Sequence, residues 1–286
     1  MAKVTEALAS QRQTPVFICD FSPPRGGGTE ALADASQLDA DFICVAYNPG
    51  KAVRVDSISA AYEIGRATGR GTVFNLSPRD MNKLALQSRL LGAQTLGLQN
   101  LLVIQGDPIT ERDGLKPAGD YTATGLIGSI RQMNEGLDYK GSRLRAPTDF
   151  CIGASLDLSR GVEHEAALAY RKAEAGAHFF VSQPLFEMSE ITTFLEAYER
   201  VAGLPLAQPV FWGLQILAAD GVLFSTVPEG LRRDLANGRD GLDIALEIYA
   251  LLREAGIGAI YLVSPIMRGG ARDYAAAARF LAEVSA

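Results

Sequence analysis

The feature that most constrains the fold is a regular alternation of short apolar runs with amphipathic stretches. Eight runs are rich in β-branched and aromatic residues, and several are apolar throughout, as in a parallel sheet covered on both faces. They are Val16–Asp20, Phe42–Ala46, Thr72–Leu76, Asn100–Gln105, Asp149–Ala154, His178–Ser182, Pro209–Gly213 and Gly258–Val263. Eight alternations in 286 residues predict a (β/α)8 barrel, and a doubly wound open sheet is the alternative.

Helical periodicity fills the segments between these runs. The predicted helices are Ser57–Thr68, Arg79–Gly97, Ala123–Glu135, Val162–Ala175, Met188–Val201, Leu242–Glu254 and Ala271–Val284. We found no linker or low-complexity tract that would divide the chain. We therefore predict a single barrel domain over residues 1–286, with residues 1–14 as an N-terminal helix or extension.

Composition argues against several classes of partner. The net charge is −6 and the basic residues are dispersed, so nucleic acid is not an expected ligand. No run of about 18 uncharged apolar residues and no secretory signal is present, so we expect a cytoplasmic protein without membrane contact. Cys19, Cys44 and Cys151 lie in apolar runs and are expected to be reduced core thiols. Homo-oligomer formation or a partner subunit stays open.

Polar residues gather where the predicted strands end, which is where barrel enzymes carry their chemistry. They are Asp20, Ser22, Tyr47, Asn48, Asn75, Ser77, Gln105, Asp107, Ser155, Asp157, Gln183, Gln215, Ser264 and Arg268. Two carboxylates, Asp20 and Asp107, would thus share one mouth with Gln183. A strand-end acid that only caps its loop explains a single aspartate about equally well. It explains two acids and a glutamine less well.

The stretch SPPR at residues 22–25 breaks the first strand abruptly. Pro23 and Pro24 have no N–H group and cannot extend a strand ladder. We therefore expect the chain to turn immediately after Asp20 and to leave its carboxyl group near the rim.

Three other features of the sequence do not match the functional motifs that they resemble. Residues 48–51 (NPGK) lack the first glycine of a phosphate-binding loop, and residues 26–28 (GGG) lack the spacing of a dinucleotide-binding loop. His164 and His178 have no metal-ligand spacing and form no recognisable catalytic triad. We expect His164 on an exposed helix face.

Several stretches in chain order resemble the methylenetetrahydrofolate reductase family. They are DFSPPR at 20–25, QGDP at 105–108, GDYTATG at 119–125, AGA with SQP between 175 and 184, and VPE at 227–229. The resemblance runs from about Val16 to the C-terminus. Its strength lies in the order of the motifs and their position at strand ends.

This resemblance implies a (β/α)8 barrel that reduces 5,10-methylenetetrahydrofolate to 5-methyltetrahydrofolate, in one-carbon metabolism and methionine biosynthesis. A flavin, FAD, usually carries the hydride and is itself reduced by NADH or NADPH. Asp20 would protonate the leaving nitrogen of the methylene bridge, giving an iminium ion that accepts hydride. Asp107 would be the second catalytic residue and would accept hydrogen bonds from the edge of the pterin, near the flavin. Gln183, Phe186 and Tyr47 would bind the substrate.

The implied flavin contacts are Asn75, Gln105, Gly106, Ser155, Asp157, Arg171 and Lys172. The sequence departs from the family at some of these positions. Asp20 replaces the usual glutamate, residues 75–77 read NLS where His-Leu-Thr is frequent, and residues 154–159 read ASLDLS. The basic pair Arg171–Lys172 is retained. Weakened, lost or different flavin binding therefore stays open beside FAD.

Two other functions stay open. Arg268-Gly269-Gly270 follows the last strand and opens the predicted final helix, a common place for a barrel phosphate site. This would suit an enzyme that acts on a phosphorylated small molecule. Asp20 and the altered flavin loops also suit a non-catalytic barrel that binds folate or a partner. Such a barrel would bind a reduced folate without oxidising NADH or NADPH.

Overall fold

A closed barrel of eight parallel strands forms the centre of the molecule. The computed structural model describes residues 2–10, 14–222 and 226–285. The strands are Val16–Phe21 (β1), Phe42–Val45 (β2), Gly71–Leu76 (β3), Asn100–Val103 (β4), Cys151–Leu156 (β5), Phe179–Pro184 (β6), Val210–Gln215 (β7) and Ala259–Val263 (β8). Each strand pairs with the next, and β8 pairs with β1. The (β/α)8 prediction is confirmed, and the open sheet is excluded.

An α-helix follows every strand except β1, which is followed by a 3₁₀ helix at Thr29–Gln37. The helices are Val4–Ala9 (α1), Ser57–Thr68 (α2), Lys83–Thr95 (α3), Ala123–Asn134 (α4), Val162–Ala175 (α5), Met188–Ala202 (α6), Glu229–Ala236 (α7), Gly241–Glu254 (α8) and Tyr274–Ser285 (α9). Polar side chains fix several helix starts. Asp56 caps α2 by accepting from Ile58 N at 3.1 Å, and Asn82 caps α3 by accepting from Ala85 N at 2.9 Å.

Alternate strand residues serve two separate apolar layers. Outward-facing residues pack against the helices in one large cluster, while inward-facing residues form a second cluster inside the barrel. The inner cluster includes Ile18, Val73 and Leu102, and the rings of Phe179 and Phe211 meet edge to face at 5.9 Å. Because side chains fill the interior, a ligand site must lie at one end of the barrel.

Helix α1 closes the amino end of the barrel. Val4 is fully buried in the inner cluster, and its amide donates to Asn100 Oδ1 at 2.9 Å. Asn100 Nδ2 in turn donates to the Ala2 carbonyl at 3.1 Å. Within the predicted extension 1–14, positions 1 and 11–13 lie outside the described residues. Helix α1 thus covers this end, and the polar residues of the strand ends lie at the opposite, carboxyl end, which we call the mouth.

All strands lie within two residues of their predicted bounds, but three helices differ. Helix α3 begins at Lys83 and not at Arg79, because Asn82 caps it. The last helix begins at Tyr274 and not at Ala271, because Ile266 and Arg272 form an antiparallel bridge closed by a turn. Gly269 and Gly270 lie in this turn with positive φ, so the expectation that they open a helix is wrong. Helix α7 was not predicted, since its sequence EGLRRDLA is largely polar.

Candidate functional site

Asp20 is held inside the mouth by two partners from the other end of the chain. Its Oδ1 accepts a hydrogen bond from the Tyr261 hydroxyl at 3.0 Å. Its Oδ2 accepts from Arg272 Nε at 3.1 Å and lies 3.0 Å from Arg272 Nη2. Asp20 does not lie open at the rim as expected, because β1 continues through Phe21 and the carboxyl group is only 6% exposed. The mouth therefore contains a buried ion pair.

Hydrogen bonds continue from Asp20 across the barrel interior. The Tyr261 hydroxyl also contacts the Cys44 thiol, which donates to Asn75 Oδ1 at 3.1 Å. Burial, reinforced by the charge of Asp20, raises the pKa of Tyr261 well above its ordinary value, so the phenol keeps its proton. Asn75, which was expected at the flavin, is thus buried at one end of a series of contacting side chains, and Asp20 lies at the other end.

Gln183 owes its position to an irregularity at the end of β6. Pairing with β7 shifts register between Val181 and Pro184. Ser182 Oγ donates to the Gln183 carbonyl and accepts from Gly213 N, both at 2.8 Å. A Cβ atom at Gly213 would lie 2.6 Å from the Gln183 carbonyl carbon, so the close approach requires glycine. Within the described chain the half-buried Gln183 amide group has no hydrogen-bond partner, and it can serve a ligand.

Two further polar side chains at the mouth have unsatisfied atoms. Gln215, at the end of β7, donates from Nε2 to the Val222 carbonyl at 3.1 Å. Its Oε1 and the Ser264 Oγ are buried and have no partner among the residues that the structure describes. Buried polar atoms are normally hydrogen-bonded. These two are therefore available to a ligand or to water.

Asp107 lies on an exposed loop, four residues after β4 ends. Its Oδ2 accepts from Gly50 N at 3.2 Å, which ties the loops after β2 and β4 together. The expectation of a strand-end carboxylate at the centre of the mouth is corrected by this placement. Gln105 is also exposed and accepts from Ala123 N at 3.0 Å, at the start of α4. Gly106, between them, has φ of 79°, a left-handed conformation that favours glycine.

The remaining predicted substrate residues, Tyr47 and Phe186, lie apart. Tyr47 is half-buried and hydrogen-bonded to Asp80, and burial followed by the Asp80 charge raises its pKa. Phe186 is 8% exposed and belongs to the apolar layer between the strands and the helices. The structure therefore places neither side chain beside Asp20 and its partners Tyr261 and Arg272.

The residues predicted for a flavin are mostly engaged within the protein. Lys172 Nζ donates to the Ser155 carbonyl at 2.5 Å and pairs with Glu165 at 3.3 Å, with both charged side chains buried. Burial lowers the pKa of Lys172. Arg171 is exposed on another face, since successive helical residues are about 100° apart. Asp157 accepts from Ser159 in its own turn. As placed, Lys172 is not available to the phosphates of a flavin nucleotide, because it is already paired with Glu165.

The structure also bears on the predictions for membrane helices, metal ligands, His164 and the cysteines. Over residues 2–10, 14–222 and 226–285, no helix is long and apolar enough to cross a membrane. The same ranges contain no cluster of three or more His, Cys, Asp or Glu residues that could hold a metal ion. His164 is exposed on α5 as predicted, and Cys19, Cys44 and Cys151 are buried and unpaired.

Sequence reasoning missed Tyr261 and Arg272 as site residues. Tyr261 could have been found, because Ala259, Tyr261 and Val263 share one face of β8 and only the tyrosine is polar. Arg272 gave no such signal. Its position depends on the turn between Ile266 and Arg272, which no strand or helix pattern predicts.

Comparison with known structures shows related barrels. An uncharacterised protein from Clostridium thermocellum that binds two copies of 5-methyl-5,6,7,8-tetrahydrofolic acid superposes with a TM-score of 0.67 at 13% identity, covering 98% of each chain. A 2,3-dimethylmalate lyase of the PEP mutase/isocitrate lyase superfamily gives 0.54 at 10% identity, covering 94% of this chain and 83% of the other. At such identities the similarity shows the fold alone.

The family comparison goes further than the fold. The family model of methylenetetrahydrofolate reductase matches residues 3–219. This match includes the strand ends that carry Asp20, Gln183 and Gln215 and the loop that carries Asp107. It covers well over half of the sequence, and the chain belongs to the methylenetetrahydrofolate reductase family.

Proposed function

We propose that the protein binds a reduced folate at the carboxyl mouth and reduces 5,10-methylenetetrahydrofolate to 5-methyltetrahydrofolate with NADH or NADPH. Family membership and the structural relative that binds 5-methyltetrahydrofolate support the folate ligand. The observation that carries the reductive chemistry is the Asp20–Tyr261 pair, a carboxyl group held inside the mouth. The product would serve one-carbon metabolism and methionine biosynthesis.

The chemistry needs a proton before it needs a hydride. Opening the methylene bridge requires protonation of its leaving nitrogen, and the resulting iminium ion accepts hydride. In this proposal Asp20 donates the proton. The Tyr261 hydroxyl can donate to the carboxylate or accept from the carboxylic acid, so Asp20 keeps a hydrogen bond in both states. Arg272 can only donate, and it stabilises the carboxylate that remains.

Two amide groups are suited to hold the pterin. Gln183 and Gln215 end the neighbouring strands β6 and β7, and each amide can donate and accept at once. The Oε1 atom of Gln215, which has no partner among the described residues, would gain a hydrogen bond from the ligand. Asp107 stays a prediction, as a contact at the outer edge of a bound pterin.

FAD as hydride carrier also stays a prediction. When bound, a reduced flavin supplies a hydride at its ring. Phosphate contacts from Lys172 would require the Lys172–Glu165 pair to open, which leaves the Glu165 carboxylate buried without its cation. Direct transfer from NADH or NADPH needs none of these contacts. A visible absorption spectrum of the purified protein distinguishes the two routes, since only a bound flavin absorbs there.

The variant Asp20→Asn tests the proposal. A general acid contributes about 10²–10⁴-fold, so the variant should lose that factor in 5-methyltetrahydrofolate formation. Its affinity for 5-methyltetrahydrofolate, measured by calorimetry, should stay within a few-fold of the native value. Asp220→Asn is the matched control, because Asp220 is 80% exposed and its ion-pair partner among the described residues is the exposed Arg268. Near-native turnover in Asp20→Asn would remove Asp20 from the role of acid.

A non-catalytic folate-binding barrel is the second candidate. It is favoured by the internal pairing of Lys172 with Glu165 and by the ion pair of Arg272 with Asp20. Such a protein would bind 5-methyltetrahydrofolate but form none of it from the methylene compound. The enzyme for a phosphorylated substrate loses its structural basis, because Gly269 and Gly270 form a turn and not a helix start.

A further inference from the structure

Arg54 reaches the corner of the mouth where Asp20 lies. It belongs to the loop after β2, and its Nη1 donates to the Pro23 carbonyl at 2.8 Å, which holds it against the loop after β1. A Cβ atom built on Gly270 would lie 3.6 Å from Arg54 Nη2. The guanidinium group is thus enclosed between the loops that follow β1 and β8, at the carboxyl end of the barrel.

The charge of Arg54 has no ion-pair partner in the part of the chain that the structure describes. Its Nε is buried and forms no hydrogen bond there. The charged groups beside it are the guanidinium groups of Arg272 and Arg25, and burial together with these like charges lowers the pKa of Arg54. Asp20 pairs with Arg272, whereas Arg54 has no carboxylate beside it among the described residues, so the charge of Arg54 adds to the positive charge of this corner.

Such an arrangement is unfavourable in the free protein. A partly buried charge without a counter-charge destabilises the fold, and like charges nearby add to the effect. A structural arginine would be expected beside a carboxylate, as Arg272 is. Groups held in an unfavourable electrostatic state at a mouth are typical of ligand sites.

We propose that Arg54, with Arg25 beside it, forms an anion subsite at the edge of the mouth that binds a carboxylate or phosphate group of the ligand. A guanidinium group matches both anions through its paired N–H donors. The hydrogen bond to Pro23 uses Nη1 and leaves Nε and Nη2 of Arg54 without a hydrogen-bond partner among the residues that the structure describes. The ligand assignment rests on the proposed function. In a folate reductase, the anion is a carboxylate of the folate glutamate tail or a phosphate of NADH or NADPH.

The variant Arg54→Gln, with calorimetric binding of three probes, separates these sources. The probes are 5-methyltetrahydrofolate, 5-methyltetrahydropteroate, which lacks the glutamate tail, and NADH beside NADPH. If the subsite binds the tail, Arg54→Gln weakens the folate by about 10- to 100-fold, the range of a charge-assisted hydrogen bond, and leaves the pteroate unchanged. If it binds a nucleotide phosphate, the same loss falls on NADH or NADPH alone. Arg66→Gln is the control, because Arg66 is exposed on α2 and pairs with Glu63.

A further arm keeps the subsite testable if the protein binds neither folate nor nucleotide, a result that would remove the proposed function alone. Inorganic phosphate at constant ionic strength should raise the Tm of the native protein and of Arg66→Gln more than that of Arg54→Gln. The Tm of ligand-free Arg54→Gln should equal or exceed the native value. Unchanged affinities together with an equal response to phosphate would overturn the subsite. A lower Tm of ligand-free Arg54→Gln with unchanged affinities would make Arg54 structural.

Discussion

Asp20 illustrates, at the scale of a residue, how neighbours accommodate a shorter acid. The family usually has glutamate at this position, and the aspartate carboxyl group reaches one methylene less far. Tyr261 comes from β8, which pairs directly with β1, and Arg272 comes from the loop that follows β8. Both donors thus reach the aspartate carboxyl group from the neighbouring strand and the loop after it. The position of the Asp20 carboxyl group is thus fixed by its hydrogen bonds to Tyr261 and Arg272.

Tyr261 should act as a positioning residue for Asp20. In Tyr261→Phe the ring still fills the barrel interior, but Asp20 loses a partner that bonds to both of its protonation states. Loss of one hydrogen bond of about 0.5–1.5 kcal/mol predicts a kcat lowered roughly 2- to 10-fold with KM nearly unchanged. Steady-state kinetics check this. Tyr249→Phe is the control, because Tyr249 packs against Phe17 and Phe280 outside the barrel. A change in KM alone would assign Tyr261 to binding.

At the scale of an element, the end of β6 shows a site built by the backbone. The register shift at Val181–Pro184 displaces Gln183 toward β7, and this is possible only because Gly213 has no side chain. The glycine in FWGLQ was a usable signal, since glycine inside a strand often marks a close backbone approach. The shift itself could not be predicted, because it depends on the Ser182 hydroxyl bridging both strands.

Gly213→Ala should therefore displace Gln183. A Cβ atom there would lie 2.6 Å from the Gln183 backbone. Overpacking of this kind costs about 1–3 kcal/mol, so we expect a lower Tm and weaker binding of 5-methyltetrahydrofolate. Gly128→Ala in α4 is the control, since a Cβ atom there meets no atom within 4 Å. Native folate affinity in Gly213→Ala would show that the position of Gln183 does not matter for binding.

Helix α5 offers a test of the flavin prediction. Lys172 and Glu165 are 4% and 1% exposed, and Glu165 Oε2 already lacks a partner among the described residues. Lys172→Met would leave a buried carboxylate without its cation, so we expect a loss of about 3–5 kcal/mol in unfolding free energy. The double variant with Glu165→Leu should recover most of it. Denaturant unfolding measures both.

Arg171→Met is the control for this pair, since Arg171 is exposed on the same helix. A change of at most about 0.5 kcal/mol is expected there. A different result would support Lys172 as a flavin contact, the role that the family resemblance implies. In that case Lys172→Met would keep the native stability and lose a bound flavin.

At the scale of the whole molecule, the alternation of strands and helices was sufficient to predict the barrel. Both faces of each strand are covered, so the apolar runs could be read directly. The composition of the mouth was predicted only in part. The positions of Asp20 and Gln183 could be predicted because both lie near the ends of strands. The position of Asp107 could not, because β4 ends at Val103, four residues earlier. The Asp20–Arg272 contact joins β1 to the loop after β8, far away in the sequence, and no local pattern encodes it.

The most direct test of the account is the identity of the folate formed by the purified native protein. The protein would be incubated with 5,10-methylenetetrahydrofolate and NADH or NADPH, and the products analysed by mass spectrometry. We expect 5-methyltetrahydrofolate in amounts equal to the nicotinamide oxidised. Absence of the methyl product, with tight binding of added 5-methyltetrahydrofolate in the same sample, would contradict a reductase and leave a folate-binding barrel.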